Sequence, residues 1–181
     1  MAGIRVVRAL ALALVVFVGL PGMARAAAVV VAPSDTMVSC GDDFYIRVEA
    51  DAFPDLKGYE LIFQYDPNVI QLIGKIDGDV LTDDGDPYFG TLVNEVSAPQ
   101  DTAWYNAAML TGSTQGPGVL VYFHFKALNV LGLSPHDCRK VDYRDSNNVQ
   151  TLPGCTGGII RVGCVTETRK ETWGRLKNVY R

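Results

Sequence analysis

Four groups of side chains in this sequence are able to do chemistry. Asp77, Asp79, Asp83, Asp84 and Asp86 crowd one short stretch. Carboxylates spaced so closely suit a hard cation such as calcium, which prefers oxygen ligands. The stretch lacks the Asp-x-Asp-x-Asp-Gly frame of an EF-hand loop, and a solvated acidic loop is the competing reading. Cys40, Cys138, Cys155 and Cys164 form the second group. An even count reads as two disulfides in an oxidising compartment, with three connectivities open. Cys138–Cys155 with Cys40–Cys164 is the preferred set: the first closes a strand–loop–strand segment, and the second ties the start of the body to its last strand. No Cys-x-x-Cys occurs and His124 and His136 are the only histidines, so zinc is disfavoured.

Trp104, Tyr105, Tyr122 and Tyr143 are the third group, candidates for stacking on sugar rings, although such residues in a β-sandwich more often fill the core. The fourth is the wider set of carboxylates. A glycosidase needs two of them about 5–10 Å apart, and none here lies inside an apolar strand, where burial would raise its pKa. His124 sits between Phe123 and Phe125 and so alternates outward. No Gly-x-Ser-x-Gly or phosphate-cradling loop is present. The reading is a non-enzymatic chain.

The elements that must position these residues are short strands. Ala28 to Ala32 is rich in β-branched residues. Phe44, Ile46, Val48 and Ala50 alternate with Tyr45, Arg47, Glu49 and Asp51; Tyr59, Leu61, Phe63 and Tyr65 alternate with Glu60, Ile62 and Gln64. Val69 to Ile76, Thr102 to Leu110, Val119 to Ala127 and Gly157 to Val165 follow. Clusters such as Gly41-Asp42-Asp43, Phe53-Pro54-Asp55 and Gly116-Pro117-Gly118 punctuate them as turns. No helical period shows in the body. A period of two marks strands with one buried face, and their sum predicts an all-β, two-sheet antiparallel sandwich.

The two ends differ from this body. Arg5 and Arg8 precede the uncharged apolar run Ala9 to Leu20, and Ala24-Arg25-Ala26 supplies an A-x-A site. Residues 1–26 therefore read as a signal peptide, too short in its apolar run to span a bilayer at about 20 residues. Export to the exterior or cell surface follows, with no membrane attachment after cleavage. Residues 27–165 form the sandwich domain. Residues 166–181 form a basic tail in which Trp173, Leu176 and Tyr180 recur at helical spacing. Docking on the sandwich, a sorting or attachment role and disorder all remain open for it. The whole chain carries a net charge of −4, with the acid concentrated in the body. Nucleic acid, whose phosphates such a body repels, is excluded as a partner.

The run Leu56 to Ile70, LKGYELIFQYDPNVI, joins a strand to a corner. Pro67 cannot donate to a ladder, and Asp66 can accept backbone hydrogens, so the strand ends there and the next begins at Val69. Gly41-Asp42-Asp43-Phe44-Tyr45-Ile46-Arg47-Val48, Pro54-Asp55-Leu56-Lys57-Gly58-Tyr59-Glu60-Leu61 and Tyr65-Asp66-Pro67-Asn68-Val69-Ile70 resemble the opening strands of a cohesin domain. Gly116-Pro117-Gly118 leading to Phe125-Lys126-Ala127-Leu128, and Gly157-Gly158-Ile159-Ile160-Arg161-Val162, are similar to later strands of that family.

The resemblance implies a jelly roll of about nine strands, related to carbohydrate-binding sandwiches, to which the short C-terminal helix or tail read from residues 166–181 is appended. It also implies a protein partner of dockerin type, a calcium-loaded helical module, lying on the sheet that contains the Tyr-Asp-Pro strand. Glu60, Ile62 and Gln64 are then the contact residues, with Gly58 where some relatives carry Asn. A carbohydrate-binding module, using Trp104, Tyr105 and Tyr122 on a polysaccharide, and a structural cell-surface unit are the alternatives.

Overall fold

The computed structural model describes residues 28–83, 85–95 and 101–164. The leader 1–26 and the tail 166–181 lie outside the described residues. Twelve strands and one helical turn follow in order: β1 (Ala28–Ala32), β2 (Asp35–Ser39), β3 (Asp43–Ala50), β4 (Gly58–Tyr65), β5 (Ile70–Asp77), α1 (Asp79–Thr82), β6 (Tyr88–Glu95), β7 (Asp101–Met109), β8 (Gly118–Ala127), β9 (Gly132–Arg144), β10 (Gln150–Thr151), β11 (Gly154–Thr156) and β12 (Gly158–Gly163). They form two facing sheets. One has the order β11-β1-β3-β8-β5, the other β2-β12-β9-β4-β7-β6, with β10 paired to β9.

The all-β sandwich is as expected, with two differences of detail. Among the described residues the strands number twelve rather than about nine, and the sheets are mixed rather than purely antiparallel. The mixing and two of the added strands have one cause; the other added strand, β10, is a two-residue pairing with β9. The chain switches sheets at Pro33-Ser34, between β1 and β2, and again at Gly157, between β11 and β12. The two crossings lie side by side, so β1 pairs β11 in parallel and β2 pairs β12 in parallel. Glycine is required there: a Cβ on Gly158 would stand 1.9 Å from the Ser34 carbonyl oxygen, and one on Gly157 2.2 Å from that of His136. Ile159 N–H donates to Ser34 O at 2.8 Å and ties the crossings together.

The period of two decides which side chains meet between the sheets. On β4, Tyr59, Leu61, Phe63 and Tyr65 are all at most 3% exposed. Phe63 lies with its ring centroid 5.3 Å from Phe123 and 6.0 Å from Phe125, and Tyr65 meets Phe125 edge-on at 5.0 Å. Each such side chain contributes about 1.5–3 kcal/mol by burial. Tyr59 satisfies its hydroxyl by donating to Leu120 O at 2.5 Å. The corner after β4 is held as its sequence predicts: Asn68 N–H donates to Asp66 Oδ1 at 2.9 Å, and the Val69 and Ile70 amides to Asp66 O.

A polar seam joins the sheets where β5 approaches β6 and β7. Asp77 pairs with Lys75 and accepts from the Tyr105 hydroxyl at 2.5 Å and the Tyr88 hydroxyl at 3.2 Å. Burial pushes the Asp77 carboxyl up, but Lys75 and the two phenols outweigh it and hold the group below its ordinary pKa. Both expected disulfides are formed. Cys138–Cys155 links β9 to β11 across the sheets, and Cys40–Cys164 closes the far end, with Cα separations of 5.8 and 4.8 Å.

His136 is wholly buried, its ring 5.9 Å from Phe63, and burial pushes its pKa down to about 4. The folded state thus holds this imidazole neutral while the unfolded chain protonates it near pH 6.5. Its contribution to stability is complete above pH 6.5 and is lost as the pH falls toward 4. Urea denaturation midpoints taken between pH 7 and 4 are expected to fall for the native chain and to fall less for His136→Phe, each referred to its own value at pH 7.

Candidate functional site

The alternation that buries one side of β4 sends Glu60, Ile62 and Gln64 to the outside, each half-buried between the neighbouring strands. Register with β7 and β6 on one side and β9 on the other builds rows across four strands. Ile62 stands opposite Trp104, which stands opposite Val93, while Lys140 faces Ile62 from β9. Asp142, Glu60, Asn106 and Thr91 form the next row, and Arg144, Gly58, Ala108 and Phe89 the one after. Val93 and Phe89 are 43% and 51% exposed. The outer wall therefore has an apolar centre, Ile62–Trp104–Val93, with polar rows beside it. That is the composition of a protein contact surface, apolar at the core and polar at the rim.

Charges are arrayed along the β9 side. Lys140 Nζ donates to Glu60 Oε1 at 2.7 Å, and this bond raises the Lys140 pKa. Arg139 Nε donates to Gln64 Oε1 at 2.5 Å, and its guanidinium lies 3.1 Å from Asp137. Asp142, flanked by buried Val141 and Tyr143, is itself buried. The expectation that no carboxylate lies inside an apolar strand is corrected here. Asp142 is tolerated because Arg144 Nε lies 3.3 Å from its Oδ1 and Gln150 Nε2 donates to its Oδ2 at 2.5 Å. Over the small residues Gly58 and Ala108 the surface dips into a hollow of about 470 Å³, walled by Phe89, Asn106, Arg144 and Asn148.

The sugar-stacking set does not assemble. Tyr105 is 0% exposed and points into the seam, and Tyr143 is buried edge-on to Phe53. Odd-numbered positions of β7 face inward, so Tyr105 has no face to offer a sugar; this corrects its assignment. Tyr122 lies on the outer face of the opposite sheet, paired with Arg47 and Ile76. Trp104 alone of the set joins Ile62. The acidic stretch is likewise dispersed. Asp77 is committed to the seam, Asp79 Oδ1 accepts from Val119 N–H at 2.5 Å, and Asp86 accepts from Thr111 at 3.2 Å. Asp83 follows α1 and Asp84 lies outside the described residues. Among the described residues, no three His, Cys, Asp or Glu side chains converge as metal ligands. His124 faces outward as expected, stacked on Tyr45 at 4.4 Å.

No family model matches this sequence, and no curated protein does. Solved structures do match. A non-cellulosomal cohesin from Archaeoglobus fulgidus superposes with TM-score 0.58 at 17% identity, over 76% of this chain and 91% of the other. A cohesin module from a Clostridium perfringens family 33 glycoside hydrolase gives 0.62 at 11% identity, over 77% and 98%. A chain of the Coh-OlpC–Doc435 type I cohesin–dockerin complex of Clostridium thermocellum gives 0.61 at 14% identity, over 77% and 95%. The fold is cohesin-like.

Burial separates structural from surface roles on β4. Leu61→Ala is expected to cost about 2–5 kcal/mol, whereas Ile62→Asp and Glu60→Arg are each expected to change stability by no more than about 1 kcal/mol. Chemical denaturation of the three variants checks this contrast.

Proposed function

We propose that this chain is an exported, non-catalytic binding module that holds a helical partner module of dockerin type against the outer face of β9, β4, β7 and β6. The observation that carries the reading is the Ile62–Trp104–Val93 row, an apolar strip on a wall of paired strands with hydrogen-bonding side chains on its flank. A flat, rigid sheet suits a helix, which lays its own apolar stripe along such a strip. Support at the level of the fold comes from the like-folded chains described as cohesin–dockerin complexes. Export rests on the leader 1–26, and the two disulfides fit an oxidising compartment. Calcium belongs to the partner in this reading.

The test is a binding titration of the full oxidised chain against calcium-loaded dockerin modules from secreted proteins of the same organism, with and without chelator. Saturable binding is expected with at least one of them, lost on chelation and weakened at least tenfold by Ile62→Asp and by Val93→Asp. Binding that both variants leave unchanged would refute the assignment of the face. Retention on insoluble polysaccharide without a protein partner would replace the reading with a carbohydrate-binding one.

A further inference from the structure

The basic side chains of the body are unevenly placed. Arg47 and Lys75 pair with Glu49 and Asp77 away from the outer wall, Lys126 lies on the opposite sheet, Lys57 donates to Gly112 O at 2.8 Å beside the hollow, and Arg161 pairs with Asp35 at the far end of the same sheet, on β12. Arg139, Lys140 and Arg144 instead stand together along β9, on the flank of the Ile62 row. Depth distinguishes them from their counter-charges. The Asp142 side chain is 8% exposed and that of Glu60 25%, while Lys140 and Arg144 are each 42% exposed and Arg139 51%. Asp137, beside Arg139, is the one carboxylate of this group at equal height. Two anions are thus sunk beneath the cations they neutralise. A surface approaching this flank meets guanidinium and ammonium groups first, on a body that is otherwise acidic.

We infer that the helical partner presents carboxylates along the side of its helix that faces β9, with its apolar stripe on Ile62, Trp104 and Val93. This rests on the reading of the wall as the partner site and adds the charge of the partner. The physical basis is complementarity. A carboxylate arriving over Lys140 or Arg144 adds a second acceptor to a cation that has donors to spare, since a guanidinium carries five N–H groups and an ammonium three. A lysine arriving there meets like charge at the surface, with the compensating Asp142 already committed to Arg144 and Gln150. Like-charge juxtaposition of this kind excludes wrong partners.

The experiment uses three stapled helical peptides of about 20 residues that share one apolar stripe at i, i+3, i+4 and i+7. The flank beside the stripe carries Glu in one, Gln in the second and Lys in the third. Fluorescence anisotropy with the full oxidised chain gives affinities at low and high salt, and amide chemical shifts of β4 and β7 report where each peptide lies. The Glu peptide is expected to bind at least tenfold tighter than the Gln peptide, with the Lys peptide weakest. The gap should narrow at high salt, where exposed charges are screened. Arg139→Gln with Lys140→Gln, a pair that leaves the buried Asp142–Arg144 contact in place, should remove most of the gap. Equal binding of all three, or tightest binding by the Lys peptide, with β4 and β7 shifts present, would overturn the charge assignment and leave the face intact. Absence of β4 and β7 shifts with every peptide would overturn both.

Discussion

The stacking of β4 against β8 through Phe63, Phe123 and Phe125 is the constraint on which the rest of the molecule depends. Three rings within 5.3–6.5 Å of one another leave β4 only one register. A slip by a single residue would carry Glu60, Ile62 and Gln64 into that space and expel the rings. Such a slip would bury a carboxylate without its lysine, at a cost well above the loss of any one contact. The core therefore specifies the outer wall as strictly as it specifies itself. The proposed binding surface is the second half of the same alternation, built on paired backbone rather than on loops, as a rigid docking face requires.

Elsewhere the fold relies on crossings rather than on rings. At Pro33-Ser34 and Gly157 two neighbouring segments pass from one sheet to the other together. His136, Cys138 and Cys155 lie close to that corner, and the Cys138–Cys155 bridge closes it by linking β9 to β11. Fixing β9 there also fixes the bulge opposite Ile62 and Phe63, which sets how Arg139 and Lys140 emerge on the wall. The disulfide and the charged flank are thus carried by one strand, β9.

What was legible in the sequence was whatever alternation within one segment decides. Tyr59 to Tyr65, Phe44 to Ala50 and Val119 to Ala127 gave strands, inward faces and the sandwich, and the cysteine spacing gave a pairing that the structure contains. What was not legible depends on register between distant segments. Trp104 and Tyr105 are neighbours in sequence, yet one lies on the wall and the other inside it, and only the pairing with Ile62 and Leu61 decides which. Strand β9 hid for a different reason: Pro135 and the bulge interrupt its period, so Arg139, Lys140, Asp142 and Arg144 did not present themselves as a face. The strand β6, with Gly90 as its third residue, carries a similarly weak pattern. Gly90 is there because a Cβ would lie 2.6 Å from the Tyr105 hydroxyl, a demand of the seam that no local pattern encodes.

The two kinds of group on the wall have different consequences for recognition. Ile62, Trp104 and Val93 supply area removed from water, at about 25 cal/mol per Å² before the costs of association are met. They favour any helix with an apolar stripe. The charged flank contributes less to net affinity, because each ion is already paired and must lose water to meet a partner. Its effect is on choice and on encounter rate. In the proposed complex, selection among similar helices would come from the flank and from the hollow over Gly58 and Ala108. A Cβ at position 58 would touch Ala107 O at 3.0 Å and Ala108 Cβ at 3.1 Å, so a larger residue there would have to displace the β7 backbone or fill the hollow itself. Gly58 is therefore the residue that keeps this part of the wall open.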